Sequence, residues 1–187
     1  GPLEGAHTRL LETLGARSVT AVEANTRASL KCLCTRELFG LKRSRFLLGD
    51  CNAYLEQASP AEVIIACGVL YHMTEPLRLL ELLCDRTDRF FLWTHYYDES
   101  LIKERDDAAL FEPCRLGEEG RYSGARRVYA EEALSWEGFC GGAHAGATWL
   151  TRDTILSFLA DRGFAVATSF EEPRGINGPS FALCAWR

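Results

Sequence analysis

Hydrophobic positions in this chain follow two alternating spacings, one typical of amphipathic helices and one typical of buried strands. Apolar residues recur every three or four positions in four segments, which predict helices at residues 8–14, 28–38, 75–83 and 152–160. Short apolar runs predict strands at residues 18–22, 45–48, 63–67, 90–94, 164–169 and 180–186. Because unbroken apolar strands alternate with helices, we expect an α/β fold with a mostly parallel sheet covered on both faces.

The last predicted strand differs from the others in how the chain reaches it. Between Phe170 and Ser180 lies a loop that is rich in glycine and proline and has no helical pattern. A parallel return within one sheet needs a long crossover, usually a helix, and this loop offers none. The sequence therefore predicts that residues 180–186 run antiparallel and insert beside the strand at residues 90–94.

A long polar and aromatic stretch with many glycines interrupts the regular pattern between Tyr96 and Trp149. An insertion at the carboxyl edge of a parallel sheet is typical of a lid or substrate-binding element, and a solvated spacer is the alternative. We place this element at residues 98–148 of a single domain that covers residues 1–187. A chain of 187 residues, 47% of them hydrophobic, is long enough for one sizeable core and too short for two ordinary domains.

Charge and cysteine content narrow the range of partners. A formal net charge of −5 gives no broad attraction for nucleic acid, and the basic residues Lys42, Arg43 and Arg45 are expected to face solvent. The eight cysteines lie within helix and strand patterns and lack paired C-x₂-C spacing, which favours a reduced, cytoplasmic protein without a metal site. No apolar run approaches the roughly 20 residues that span a bilayer, so we expect no membrane partner.

Two features near the start of the chain are typical of nucleoside binding. Residues 1–5, Gly-Pro-Leu-Glu-Gly, form a turn before a helix, where backbone N–H groups can approach a ligand closely. Glu23 ends the next strand, 22 positions after Gly1, where an acid can accept hydrogen bonds from both ribose hydroxyls. Dinucleotide-binding and methyltransferase folds both use this arrangement, but the G-x-G-x-x-G fingerprint of a nicotinamide oxidoreductase is missing.

Four segments appear together in the order seen in one large enzyme family. They are residues 1–8 (Gly-Pro-Leu-Glu-Gly-Ala-His-Thr), 22–25 (Val-Glu-Ala-Asn), 49–50 (Gly-Asp) and 67–72 (Cys-Gly-Val-Leu-Tyr-His). Over nearly its whole length the chain resembles class I, or Rossmann-like, S-adenosylmethionine-dependent methyltransferases. Leu3 stands where the family's loop usually has its second glycine. The family also has a central strand before this loop, so the resemblance implies a fragment whose first strand is missing.

The resemblance implies S-adenosyl-L-methionine as the cofactor and assigns residues to its parts. The loop and the Cys67-Gly68 turn would contact the methionine moiety, Glu23 the ribose and Asp50 the adenine. The implied cofactor-binding residues are Gly1, Pro2, Leu3, Gly5, Glu23, Ala24, Asp50, Cys51, Cys67 and Gly68. His72 would face the transferring methyl group, and His95 follows the strand at residues 90–94. Both are candidate general bases because imidazole titrates near neutrality, while a structural role is the alternative for each; His144 in the insertion is a third candidate.

The implied reaction is methyl transfer to a small-molecule or sugar-like acceptor. Residues 69–77 also resemble the corresponding stretch of tRNA wobble-uridine carboxymethyltransferases, which leaves a tRNA-modifying transferase as an alternative. The acidic composition does not favour that alternative, because RNA binding needs a cationic surface. A non-catalytic nucleoside-binding domain of the same fold is the other alternative. The acceptor and the oligomeric state do not follow from the sequence.

Overall fold

The computed structural model describes residues 1–129 and 144–187. Within these residues the α-helices are α1 (Ala6–Thr13), α2 (Thr26–Phe39), α3 (Cys51–Gln57), α4 (Pro76–Arg86), α5 (Glu99–Ile102) and α6 (Arg152–Asp161). The strands are β1 (Val19–Glu23), β2 (Ser44–Leu48), β3 (Ile64–Cys67), β4 (Arg89–His95), β5 (Phe111–Leu116), β6 (Tyr122–Val128), β7 (Gly146–Leu150), β8 (Ala165–Glu172) and β9 (Ser180–Trp186). The predicted α/β class is confirmed.

Polar caps determine where several helices begin. The side chains of Asn25, Asp50 and Thr151 accept hydrogen bonds from the first turns of α2, α3 and α6. Such caps satisfy backbone N–H groups that have no partner within the helix. At the other end of α2, Gly40 has a φ of 61°, a left-handed conformation that stops the helix at low steric cost.

The predicted reversal of the last strand is confirmed. In the four-stranded sheet the order is β3-β4-β9-β8, and β9 runs antiparallel to both of its neighbours. β3 and β4 are parallel, as are β1 and β2 in a separate two-stranded sheet. The loop between β8 and β9 contains no helix, so the chain turns back directly.

The parallel strands of the described residues form two sheets instead of one. β1 pairs only with β2, and β3 pairs only with β4, so β1 and β3 each keep one unpaired edge. Apolar side chains lie exposed at β3, where Val63 and Ile65 are 51% and 37% exposed.

The main hydrophobic core lies between the four-stranded sheet and two helices. Leucines of α4 and apolar residues of α6 pack on the inner face of β4 and β9, and Leu80, Leu92, Ile155, Leu159 and Leu183 are completely buried. Burial of this continuous apolar surface is the main term that stabilises the fold. None of the helices in residues 1–129 and 144–187 is long and apolar enough to cross a bilayer.

The predicted insertion contains a three-stranded antiparallel sheet that its sequence pattern did not indicate. β5, β6 and β7 pair in that order. Backbone hydrogen bonds attach this sheet to the rest: Thr148 N–H donates to Met73 O at 2.8 Å, and Tyr97 N–H donates to Leu150 O at 2.8 Å. Between this sheet and the rest of the protein lies a second apolar cluster, which consists of Tyr97, Ile102, Phe111, Ala125 and Trp149. The insertion therefore covers the carboxyl end of β4.

Candidate active site

The loop of residues 1–5 wraps around the carboxylate of Glu23. Leu3 N–H donates to Glu23 Oε2 at 3.0 Å, and Asn25 N–H donates to Oε1 at 2.9 Å. Glu23 ends β1 and is only 7% exposed, and a Cβ on Gly1 would collide with its carboxylate. Predicted residues Gly1, Leu3 and Glu23 therefore lie together, and a side chain at position 1 would force the Glu23 carboxylate to move.

Leu3 adopts a backbone conformation that normally belongs to glycine. Its φ is 55°, in the left-handed region, where a side chain costs on the order of 1–2 kcal/mol. The neighbouring turn holds it there: Gly5, with a φ of 81°, donates its N–H to Pro2 O at 2.8 Å. Two side chains of α2 anchor the same loop, since Cys32 Sγ lies 3.2 Å from Leu3 O and Thr35 Oγ1 donates to Glu4 O at 2.7 Å. The loop thus has a left-handed backbone conformation at position 3 although the residue there is leucine.

The predicted adenine contact, Asp50, lies in the turn after β2. Gly49 N–H donates to Glu23 O at 2.9 Å, which ties this turn to the end of β1. Asp50 Oδ1 accepts a hydrogen bond of 2.8 Å from Ala53 N–H and thereby caps α3. Asp50 is exposed, as is Ala24 directly after Glu23. Asp50 therefore has a structural role as the cap of α3, and its contact with the adenine stays a prediction.

Cys51, the first residue of α3, and Cys67, the last residue of β3, have half-buried thiols. Burial raises the pKa of both thiols, so they remain protonated near neutral pH. Cys51 begins α3 just after the turn that Gly49 N–H ties to Glu23 O, and Cys67 ends β3, so both thiols lie at the carboxyl ends of parallel strands.

Gly68 forms the turn that follows β3. Its φ is 69°, and its N–H donates to Trp93 O of β4 at 3.0 Å. A Cβ built on Gly68 would lie 3.8 Å from Tyr71 Oη and 3.7 Å from the ring of Trp93. This turn, which is predicted to contact the methionine part of the cofactor, is thus flanked by two aromatic residues. One of them, Tyr71, also contacts the rings of His72 and His95.

His72 ends a short 3₁₀ turn, Leu70–His72, and its Nδ1 is buried. Among residues 1–129 and 144–187, Nδ1 has no hydrogen-bond partner. Burial, with smaller contributions from positive groups nearby, lowers the pKa of His72 to about 4. The ring is therefore neutral near neutral pH and binds a proton only weakly.

His95 lies at the end of β4 within an aromatic cluster. Its ring stacks on Trp149 at 5.0 Å with an interplanar angle of 8°, and Tyr71 meets it edge-on at 4.7 Å. Nδ1 lies 3.2 Å from Pro179 O, which fits the tautomer that donates from this nitrogen. Burial lowers the pKa of His95, although the Pro179 contact opposes this. The two predicted histidines share Tyr71 as a neighbour, whereas His144 is exposed before β7.

Sequence reasoning missed three residues that complete this cluster. Arg127 of β6 pairs with Asp107 at 2.9 Å, and its guanidinium lies 5.1 Å from the ring centre of Trp149 in β7. No local motif marks these residues, because antiparallel pairing of distant segments brings them together. In the part of the chain that the structure describes, no group of three His, Cys, Asp or Glu side chains could hold a metal ion.

Comparison with known proteins identifies the fold. No family model matches the chain, and no curated protein sequence matches it either. Solved structures do match, and all of the following align with 100% of this chain. The fold they define is that of Rossmann-like S-adenosylmethionine-dependent methyltransferases.

Three of these structures illustrate the likeness. The N-terminal domain of EvdMO1 with SAH bound has a TM-score of 0.74 at 20% identity, and the match covers 71% of that domain. Magnesium protoporphyrin IX methyltransferase from Synechocystis PCC 6803 with bound SAH has a TM-score of 0.64 at 17% identity and 71% coverage. A methyltransferase from Mesorhizobium loti has a TM-score of 0.63 at 15% identity and 88% coverage. The chain spans 35% of the complete EvdMO1 structure.

Proposed function

We propose that this protein transfers a methyl group from S-adenosyl-L-methionine to a small-molecule or sugar-like acceptor. The observation that carries the proposal is the contact of the first loop with Glu23 at the carboxyl end of β1, with Cys51 and Cys67 following the carboxyl ends of the parallel strands β2 and β3. Ligands of open α/β sheets bind at this edge. The methyltransferase neighbours, three of them described with SAH or SAM bound, support the choice of cofactor.

The residues present fit a nucleoside with a sulfonium side chain. Each carboxylate oxygen can accept about two hydrogen bonds, so Glu23 keeps acceptor capacity for ribose hydroxyls after binding Leu3 and Asn25. The exposed Asp50 would meet the adenine, and Cys67 and Gly68 would lie along the methionine part. When bound, the cofactor supplies an electrophilic methyl group. The protein's own contribution is to position the acceptor in line with it.

The acceptor would lie against the aromatic residues beyond Gly68. Tyr71, His95 and Trp149 pack against one another there, with Tyr71 half-buried and the other two rings buried, and the insertion closes this side. His72 and His95 are neutral, and in our proposal they shape this pocket through contacts with the acceptor, since burial weakens the affinity of both rings for a proton by lowering their pKa. One neighbouring structure of EvdMO1 was obtained in the presence of SAH and D-fucose, which supports a sugar-like acceptor.

Calorimetry with S-adenosylhomocysteine tests the cofactor assignment. Glu23→Ala should weaken binding by about 1.5–3 kcal/mol, the range for a lost hydrogen bond to a charged group. Glu4→Ala is the matched control, because Glu4 belongs to the same loop but its carboxylate pairs with Lys31 at the surface. Affinity that is unchanged in Glu23→Ala would remove Glu23 from the ribose site. Failure of the wild-type protein to bind S-adenosylhomocysteine would refute the proposed function.

A nucleoside-binding domain without turnover is the second candidate. The leucine at position 3 favours it, since Leu3 stands beside the Glu23 carboxylate where the family's loop usually has a glycine. Methyl transfer from radiolabelled S-adenosylmethionine to any member of a panel of hydroxyl, amine and carboxylate acceptors would exclude this candidate. Binding of S-adenosylhomocysteine without transfer to any member of the panel would favour it.

A further inference from the structure

A cavity of about 680 Å³ lies where the starts of α5 and α6 approach β5 and β6. Arg115 and Ser123 line it from the strands, and residues 98–100 and 151–153 line it from the helices. Its volume is in the range of cavities that bind small molecules. No leucine, isoleucine, valine, methionine or phenylalanine is among the described residues that line it, so the cavity suits a polar ligand.

This cavity is separate from the proposed methyl-transfer site. Ser123 lines the cavity, and Ala125, two residues further along the same face of β6, belongs to the second apolar cluster. Trp149 of that cluster stacks on His95 at 5.0 Å, and Tyr97 of the same cluster lines the cavity. The buried rings of the cluster therefore lie between the cavity and His95.

Tyr96 brings an unpartnered hydroxyl to the cavity. The residue is only 4% exposed, and its ring meets Phe181 of the main core edge-on at 5.6 Å. The hydroxyl makes no hydrogen bond within residues 1–129 and 144–187. It is not among the unpartnered side-chain atoms that are sealed from solvent, so it has accessible surface in the cavity that Tyr96 lines. A hydroxyl in such a position favours a ligand that supplies its hydrogen-bond partner.

Two carboxylates at the cavity have unused acceptor oxygens. Asp98 accepts hydrogen bonds from Ser100 and Leu101 at Oδ1, and in the described part of the chain its Oδ2 has no partner. The Ser100 hydroxyl, with the two backbone N–H groups, lowers the pKa of Asp98, so this carboxylate is charged at neutral pH. Asp153 lies exposed in the first turn of α6, and its side chain forms no ion pair or hydrogen bond with any described residue.

The cavity carries a surplus of negative charge. Among the described residues, four carboxylates and two guanidinium groups line it. Ion pairs of 2.6 and 3.3 Å occupy two of the carboxylates, which leaves Asp98 and Asp153 against the guanidinium of Arg115. Residues 130–143 contain three glutamates and no basic residue, so they can only add to this surplus. No three His, Cys, Asp or Glu side chains in the described ranges are grouped to hold a metal ion, which favours an organic cation.

We propose that this cavity binds a hydroxylated ligand that carries an ammonium group, such as an amino sugar. The ammonium group donates to the free oxygen of Asp98, and Asp153 adds to the electrostatic attraction. A hydroxyl group of the ligand pairs with the hydroxyl of Tyr96. Charge-assisted hydrogen bonds are stronger than those between neutral groups, so the cavity selects an amine over the corresponding alcohol.

Glucosamine and glucose are suitable probes, because they share a hydroxylated ring and differ in one ammonium group. Their dissociation constants are measured by ligand-observed NMR on the full chain at about pH 6, where the amine is protonated, with and without S-adenosylhomocysteine. The variants are Tyr96→Phe, which removes only the hydroxyl, and Asp98→Asn, which keeps the cap of α5 because asparagine caps helices as well as aspartate does. Asp106→Asn is the matched control, since Asp106 is exposed away from the cavity. Circular dichroism verifies that each variant is folded.

The wild-type protein and Asp106→Asn should bind glucosamine about tenfold more tightly than glucose, the equivalent of one charge-assisted hydrogen bond. Asp98→Asn should reduce that preference, and Tyr96→Phe should weaken the binding of both probes. S-adenosylhomocysteine should leave the dissociation constants unchanged, because the site is separate. Equal affinity for the two probes, no glucosamine binding at millimolar concentration, a full preference in Asp98→Asn, undiminished binding in Tyr96→Phe, or competition by S-adenosylhomocysteine would overturn the inference. None of these results depends on methyl transfer, so the proposed function is tested separately.

Discussion

Replacing His72 with asparagine should make the stability of this protein less sensitive to acid. Burial lowers the pKa of His72 to about 4 from the 6.5 of an exposed imidazole. Between these two values the unfolded chain binds a proton that the folded protein does not. The free energy of unfolding therefore falls as the pH falls through this window, and the loss is complete only below the folded pKa.

The size of the effect follows from the two pKa values. From about pH 7 to about pH 5, the difference in proton binding at His72 lowers the free energy of unfolding by about 2 kcal/mol. This is a measurable part of the roughly 5–15 kcal/mol that stabilises an ordinary domain. His72 Nδ1 has no partner in the described residues, so asparagine removes the titration without breaking a hydrogen bond at this nitrogen.

Urea unfolding of the wild-type protein, His72→Asn and His7→Asn at both pH values tests this reasoning. His7 is exposed on α1, so His7→Asn controls for the loss of an ordinary histidine. The carboxylates and His95 titrate in all three proteins, and their effect cancels in the comparison. The wild type and His7→Asn should lose about 2 kcal/mol more than His72→Asn on acidification. An equal loss in all three proteins would show that His72 is not a buried neutral ring.

Substitutions at two further positions test the first loop and the hydrogen bonds of Glu12 in α1. Leu3→Gly should be at least as stable as the wild type, and Leu3→Val should be less stable by about 1 kcal/mol or more, because β-branched residues fit a positive φ worst. Thermal unfolding measures the three stabilities. The reverse order would contradict a strained backbone at position 3. The Ser44 hydroxyl, together with the Lys42 and Arg43 N–H groups, lowers the pKa of Glu12, so Glu12 stabilises the fold at neutral pH and loses this effect as the pH falls through its folded pKa. Glu12→Gln should therefore be less stable than the wild type at neutral pH and closer to it in acid, as measured by chemical denaturation; a constant difference would be evidence against this role.

The α/β part of the fold, including its antiparallel last strand, could be predicted because its signals are local. Gly40 ends α2 as the sequence indicated, and β9 has the predicted bounds, Ser180–Trp186, and the predicted direction. The antiparallel sheet of the insertion could not be predicted in this way. β5 contains Pro113 and β6 contains Gly124, and both residue types weaken a strand pattern. These strands therefore form through hydrogen bonds with their partner strands and not through a strong local preference for strand conformation.

The same distinction applies to the candidate site. Glu23 could be predicted because the end of a strand defines its place, and the structure puts its carboxylate against the first loop. No local sequence feature identifies Arg127 or Trp149 in this way. They meet through the register of β6 and β7 across a segment of more than twenty residues, and sequence spacing alone does not reveal that register.

Of the two described α-helices that the sequence pattern missed, α3 and α5, the first joins the two halves of the candidate site. The residues proposed to hold the cofactor are divided between the β1-β2 sheet and the sheet that contains β3 and β4, and no strand pairing connects these sheets. Instead, α3 follows β2, places Leu55 in the main core, and receives hydrogen bonds of 2.6 and 2.8 Å on its last carbonyls from Arg86 of α4. Asp50 caps the other end of this short helix. Because Asp50 caps the helix that links the two sheets, we expect its substitution to affect cofactor binding through this geometry as well as through the proposed contact with the adenine.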